Sequence, residues 1–132
     1  MSAVELQKRP QDSGMTADTT AETLGQKQKR FARMIPRLID KAHELGFEVS
    51  LGDAYRDPRM FGEMGVKMGY GAANSCHKMR LAIDLNLHKD GVYLICDKDH
   101  EPLGTWWESQ GGVWGGRFGD GNHYSLSHQG FK

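Results

Sequence analysis

From Thr23 onward the apolar positions fall three and four residues apart. Phe31, Met34, Ile35, Leu38, Ile39, Ala42 and Leu45 make one stripe, with Lys27, Lys29, Arg30, Arg33, Arg37 and Lys41 mostly off it. That pattern predicts an amphipathic helix. Pro36 lies inside it and predicts a kink or a split, and Gly46 follows the last apolar position as a C-terminal stop. Beyond Gly46 the period changes to two. Residues 47–51 (Phe-Glu-Val-Ser-Leu) read as a strand, and Leu81, Ile83, Leu85 and Leu87 form the apolar face of a second one, with Ala82, Asp84 and Asn86 on its other face. His88-Lys89-Asp90-Gly91 carries a hairpin signal into a third strand over 92–95, and residues 122–127 alternate again as a fourth. Trp106, Trp107 and Glu108 are expected to begin a short helix. Residues 111–121 are expected to be a glycine-aromatic loop, and residues 59–76, rich in Gly and Met, show no period. The class predicted is α+β, an N-terminal helix packed on a small, mainly antiparallel sheet. Residues 1–22 are polar and without period, and read as a mobile or loosely packed arm ahead of one domain over 23–132.

A chain of 132 residues suits a single compact domain. Lys plus Arg and Asp plus Glu are each 17, a formal net charge of zero, which argues against a nucleic-acid-coating or polybasic membrane-binding protein. No apolar run approaches the ~20 residues of a membrane span, and the N-terminus shows no basic stretch followed by an apolar core, so no secretory signal is expected. Two cysteines, Cys76 and Cys96, are too few for a disulfide scaffold and are read as free thiols.

Five positions carry candidate chemistry. Asp84 interrupts an apolar strand; it lies on a solvated face of the sheet, or a cation or donors satisfy it. His77, seven residues upstream, and His123, far downstream, complete a two-histidine, one-carboxylate set of the kind that holds a catalytic zinc with one position open for water. Either histidine taken alone reads as a surface or capping residue. Asp120 precedes His123 by three residues in a Gly-containing turn, a spacing that sets a second carboxylate beside a metal as a base; the bland alternative is an ordinary Asp-Gly turn. Arg56, next to Tyr55, suits stabilisation of developing negative charge, or else an ion pair with Asp53 or Asp57.

Taken together, these residues are similar to the zinc peptidases of the lysostaphin, D-Ala-D-Ala peptidase and hedgehog fold group. The run Ser75-Cys76-His77-Lys78-Met79-Arg80-Leu81-Ala82-Ile83-Asp84 resembles the family's S-x-H-x-x-G-x-A-x-D, with Arg80 where glycine is usual. Asp120 to His123 resembles its second motif, E-x-x-H or, in some endolysins, D-x-x-H. Trp114-Gly115-Gly116-x-Phe118 and Tyr55-Arg56 also look like the family, so that the resemblance spans roughly residues 46–126. The branch resembled most is that of the D-Ala-D-Ala carboxypeptidase-like enzymes, which includes small phage endolysins that cut the L-alanyl-D-glutamate bond of peptidoglycan.

The resemblance implies His77, Asp84 and His123 as ligands of Zn2+ and Asp120 as general base and later acid. It implies Arg56 as the group polarising the scissile carbonyl or holding substrate, and Ser75 as a substrate contact. It implies metal-assisted amide hydrolysis of the peptidoglycan stem peptide by a monomer, with no nucleic acid and no membrane insertion. Such an enzyme is made in the host cytoplasm and released to the wall through a holin-type pore. The alternatives are D-Ala-D-Ala carboxypeptidase or dipeptidase specificity, a catalytically silent zinc-containing binding module, and a small metal-dependent nuclease, which the neutral charge disfavours.

Overall fold

The computed structural model describes residues 22–68 and 72–132. The arm expected over residues 1–22 lies outside them except for Glu22. Helix α1 is Leu24–Glu44. Thr23 opens it with a capping box: its Oγ1 accepts from the Gln26 N–H at 3.1 Å, and the Thr23 N–H donates to Gln26 Oε1 at 2.9 Å. The helix runs unbroken through Pro36, contrary to a split. Pro36 and Ala32, whose carbonyl loses its donor, are both on the exposed face, where water replaces the missing bond. Gly46 stops the helix as expected. Its φ of 94° allows the Gly46 and Phe47 N–H groups to close back on the carbonyls of His43 and Ala42, both at 3.0 Å, a Schellman ending.

The remaining elements are β1 (Glu48–Leu51), a single turn α2 (Pro58–Phe61), β2 (Ala82–Lys89), β3 (Val92–Leu94), α3 (Glu101–Ser109), β4 (Val113–Trp114) and β5 (His123–Ser125), with 3₁₀ turns at Cys76–Met79, Asp97–His100 and Gly115–Phe118. The class is α+β with an N-terminal helix and a small antiparallel sheet, as the pattern predicts. Strand β2 is the spine. One edge pairs with β1 (Leu85 opposite Leu51), the other with β5 (Ala82 to Asp84 opposite Ser125 to His123) and then with β3 (Leu87 opposite Leu94). β4 lies outside β5, for a path β1-β2-β5-β4. The β2–β3 connection is a two-residue turn in which Asp90 (φ 52°) and Gly91 (φ 79°) are both left-handed, matching the twist of the hairpin.

Two expectations need correction. Trp106 to Glu108 lie near the end of α3, which begins at Glu101 behind Pro102 in the first turn, a start the apolar period does not mark. Residues 111–121 are no simple loop: they hold β4 and a 3₁₀ turn, so the described sheet has five strands where four were expected.

The core lies between α1, α3 and the sheet. Phe31, Met34, Leu38 and Ala42 of α1 meet Leu81, Ile83, Leu85 and Leu87 together with Leu103, Trp107, Trp114, Tyr124 and Leu126. Phe31 meets Trp107 edge to face at 6.1 Å. The buried indoles are satisfied: Trp107 donates to the Ser125 carbonyl at 3.0 Å and Trp114 to that of Gly121 at 2.7 Å. Gly104 in α3 lies directly on the Trp114 ring, and a Cβ there would overlap the indole. Gly104→Ala is therefore expected to destabilise the chain by about 1–3 kcal/mol through overpacking. Urea unfolding measures it, and an unchanged midpoint would show that α3 is free to shift away from β4.

Candidate metal centre

Three elements deliver the centre. His77 lies on the 3₁₀ turn Cys76–Met79 that leads into β2, and Ser75 caps that turn by accepting the His77 N–H at 3.1 Å. Asp84 is on β2 and His123 begins β5, where the register sets the two directly opposite each other. Because Leu81, Ile83, Leu85 and Leu87 are buried, the pleat turns Asp84 to the other face, beside the two histidines. His77 Nε2 is 3.0 Å from Asp84 Oδ1, His123 Nδ1 is 3.8 Å from the same oxygen, and the imidazole centroids are 5.2 Å apart.

This donor set fits zinc. Nitrogen and oxygen ligands about 2.0–2.2 Å from a tetrahedral ion are roughly 3.3–3.5 Å from one another, and the two observed separations bracket that range. One atom from each of His77, Asp84 and His123 lies within 4.8 Å of the others. The outward nitrogens, His77 Nδ1 and His123 Nε2, are buried with no partner among the described residues, so each ring makes its polar contacts through the inward nitrogen. Burial is the main cause that pushes the His123 pKa down to about 4, with help from the nearby His77 and Arg56 charges and against the pull of Asp84. A histidine kept neutral in this way has its lone pair available to a metal.

The remaining expected residues gather around this trio. Asp120 is half exposed, with Oδ2 3.8 Å from His123 Nδ1. Burial and the neighbouring Asp84 carboxylate raise its pKa above the ordinary value, while His77 and Arg56 oppose the shift. Arg56 reaches Asp53 Oδ2 at 3.4 Å, as the ion-pair alternative has it, and it also reaches Ser75 Oγ at 3.2 Å and Asp84 Oδ2 at 3.8 Å. Its backbone N–H is fixed on the His77 carbonyl at 3.1 Å. Asp57, the other expected partner, instead caps α2 and pairs with Arg59. Arg56, Ser75, Asp120 and His123 share one cleft of about 770 Å³, walled in part by Phe118 and Phe131.

Residues 69–126 match the profile of a family described as D-alanyl-D-alanine carboxypeptidase. The match covers under half of the chain but contains His77, Asp84, Asp120 and His123, and it supports a peptidoglycan-related peptidase. No curated protein matches the chain.

Several residues that shape the site were not expected from the sequence. Gly115 touches the Asp120–His123 turn so closely that a Cβ would overlap the Asp120 carbonyl, while its own carbonyl accepts the Asp120 N–H at 2.8 Å. The glycine-aromatic run around it was the available signal. Arg80, in place of the usual glycine, adopts the left-handed conformation a glycine would take (φ 58°), and its guanidinium lies 4.1 Å from the Tyr55 ring centroid. His100, in a stretch with no apolar period, is buried with Nδ1 2.8 Å from the Tyr124 hydroxyl. Both cysteines are free, as expected; Cys76 is buried, which raises its thiol pKa to about 12, and Cys96 is exposed. No helix among the described residues is long and apolar enough to cross a membrane.

Lys78 is the least expected contributor. It is 6% exposed, and its ammonium donates to the carbonyls of Glu63 (3.2 Å), Val66 (2.7 Å) and Ala73 (3.0 Å). A buried charge is tolerated here because its three donors are all used. The residue next to His77 thus ties the turn to residues 63–66 and to Ala73, which lies between the cleft-lining Ala72 and Asn74.

Two outcomes follow. Lys78→Met is expected to cost about 1–3 kcal/mol, since three carbonyls lose a charged donor; urea unfolding reads the loss, and a neutral result would mean that water serves those carbonyls equally well. In metal-free protein, an unfolded histidine binds protons near its ordinary pKa of 6.5 whereas folded His123 resists until about 4. Stability is therefore expected to fall as pH drops through that window, by on the order of 3 kcal/mol. The raised carboxyl of Asp120 acts in the opposite direction at the acid end. Unfolding midpoints between pH 7 and pH 4, wild type against His123→Gln, separate the His123 contribution; parallel curves would remove it.

Proposed function

We propose that this chain is a zinc-dependent peptidoglycan peptidase of the phage endolysin kind, hydrolysing the L-alanyl-D-glutamate bond of the stem peptide. The observation that carries the reading is the convergence of His77, Asp84 and His123 beside a cleft that His123 lines together with Asp120 and Arg56. In this reading His77, Asp84 and His123 hold Zn2+, which when bound polarises a carbonyl and acidifies water.

The chain's own residues supply the rest. Asp120 carries a carboxylate whose raised pKa brings it nearer the working range of a general base, and its half-exposed position opens it to water in the cleft. It takes the proton of the attacking water and returns it to the departing amine, so that Asp120 ends the cycle in the carboxylate form in which it began. The Arg56 guanidinium, held by Asp53 and Ser75, presents positive charge to the carbonyl oxygen as that oxygen becomes anionic. Ser75 acts through this hold on Arg56 as well as by lining the cleft.

The endopeptidase choice is supported by the resemblance of Asp120-x-x-His123 to the endolysin motif. A second depression of about 180 Å³ also borders Asp120 on the side of Tyr93 and Asn122, leaving room for peptide on both sides of the base. A D-Ala-D-Ala carboxypeptidase is the second reading, favoured by the description of the family matched over residues 69–126. We further propose that the enzyme acts as a monomer, made in the host cytoplasm and reaching the wall through a pore.

Elemental analysis of purified protein is expected to find one zinc per chain. Mass spectrometry of digested muropeptides is expected to show the L-Ala–D-Glu bond cut, with chelator abolishing the cleavage; release of terminal D-alanine alone would decide for the second reading. Asp120→Ala is expected to keep zinc and lose about 10²–10⁴-fold in turnover, whereas His77→Ala and His123→Ala lose zinc and turnover together. Zinc lost from Asp120→Ala would make it a ligand, and a chain that takes up no zinc on reconstitution would sink the proposal.

A further inference from the structure

A second concave site shares no lining residue with the cleft. It is a groove of about 330 Å³ between α1 and α3, lined by Arg30, Arg33 and Arg37, with Met34, Trp106 and Gln110. Each of the three arginines precedes a buried residue of α1 (Phe31, Met34, Leu38), so all three fall along one flank of the helix, beside its packed face. Across the groove α3 presents the half-buried indole of Trp106 and the exposed amide of Gln110.

The charge in this groove is poorly compensated. Arg30 is paired with Glu22 at 2.8 Å, but among the described residues no carboxylate lies within ion-pairing distance of Arg33 or Arg37. Helix α1 carries six basic and two acidic side chains. With 17 of each sign in the whole chain, that excess of four is matched by an acidic excess of four elsewhere. Neutrality thus conceals a strongly polar distribution, with guanidiniums concentrated where an indole and an amide also line a depression. Guanidiniums take carboxylates in a bidentate fork, and an indole face takes the C–H face of a sugar ring.

We propose that this groove is an exosite for the anionic glycan–peptide strand of the wall polymer, holding the chain on its insoluble substrate while the cleft acts elsewhere on it. The preference for a carboxylate-bearing strand follows from the groove; the choice of peptidoglycan as that strand rests on the proposed function. Two weak contacts on one polymer raise its effective concentration at the cleft, so the groove contributes on sacculi and contributes nothing on a short soluble peptide.

The test separates the two proposals. In the Asp120→Ala background, which cannot digest its ligand, full-length protein is sedimented with purified sacculi at low and physiological salt. The double substitution R33E/R37E is expected to weaken binding about tenfold or more, steepest at low salt, Trp106→Ala to weaken it less, and R33K/R37K to retain most of it. With Asp120 intact, R33E/R37E is expected to hydrolyse a soluble stem peptide at the wild-type rate. Undiminished sedimentation of R33E/R37E overturns the exosite, as does an equal loss on the soluble peptide, which would mark a damaged fold. Tighter binding of duplex DNA than of sacculi through the same arginines overturns the occupant. If no stem peptide is cut while R33E/R37E still abolishes sedimentation, the exosite stands and the proposed reaction falls.

Discussion

The candidate centre depends on the pleat of one strand. β2 and the residue just before it bury Leu81, Ile83, Leu85 and Leu87 on one side, and each such side chain is worth about 1.5–3 kcal/mol when removed from water. A shift of register by one residue would expose all four, so the register is held far more strongly than any polar contact could hold it. The same alternation leaves Asp84 on the opposite face, directly across from His123 of β5. Apolar burial thereby carries the energetic cost of positioning a carboxylate between two imidazoles. His77 needs one further device, the Ser75-capped turn, because it approaches from outside the sheet.

That arrangement gathers ionisable groups closely enough to alter one another. The Asp84 carboxylate lies within 4 Å of His77, His123 and Arg56. Burial keeps His123 neutral, and the second carboxylate, Asp120, is pushed towards its neutral form by burial and by Asp84. A neutral imidazole, a second carboxylate of raised pKa and a guanidinium gathered around Asp84 are groups that metal-assisted hydrolysis can use. They are separated in sequence by up to 67 positions between Arg56 and His123, and the only short-range pair, Asp120 and His123, is held by a glycine turn. Gly115 is what permits that turn to close: its missing side chain lets the Asp120 carbonyl approach.

Legibility followed the range of the cause. The stripe of α1, the alternation of β2 and the Asp90-Gly91 turn are local patterns and were readable in the sequence. The start of α3 and strand β4 were not, because α3 begins on Glu101 and Pro102 with no apolar period, and β4 is two residues long and exists only through pairing with β5. In the centre, His77, Asp84, Asp120, His123 and Arg56 were identified from residue type and motif, and the structure brings all five to one place. Their supports were not legible. A lysine next to a candidate ligand looks solvated in sequence, yet Lys78 is buried where three carbonyls, two from the Glu63–Val66 turn and one from Ala73, converge on it. His100 likewise has no local pattern that marks it as buried; it packs with its turn Asp97–His100 against Tyr124.

The charge distribution makes the same point about scale. A net charge of zero argues against a chain drawn as a whole to polyanions, and that argument holds at distances beyond a Debye length of about 8 Å in physiological salt. At contact distance it fails, because a ligand meets only the side chains beside it. Near α1 those are guanidiniums, two of them without a carboxylate partner among the described residues, whereas the centre is built around Asp84 and Asp120. A polyanion approaching this protein therefore encounters opposite conditions at its two concave sites. The helix flank attracts it directly, and the cleft, with its two carboxylates, becomes favourable only where a cation and Arg56 offset them.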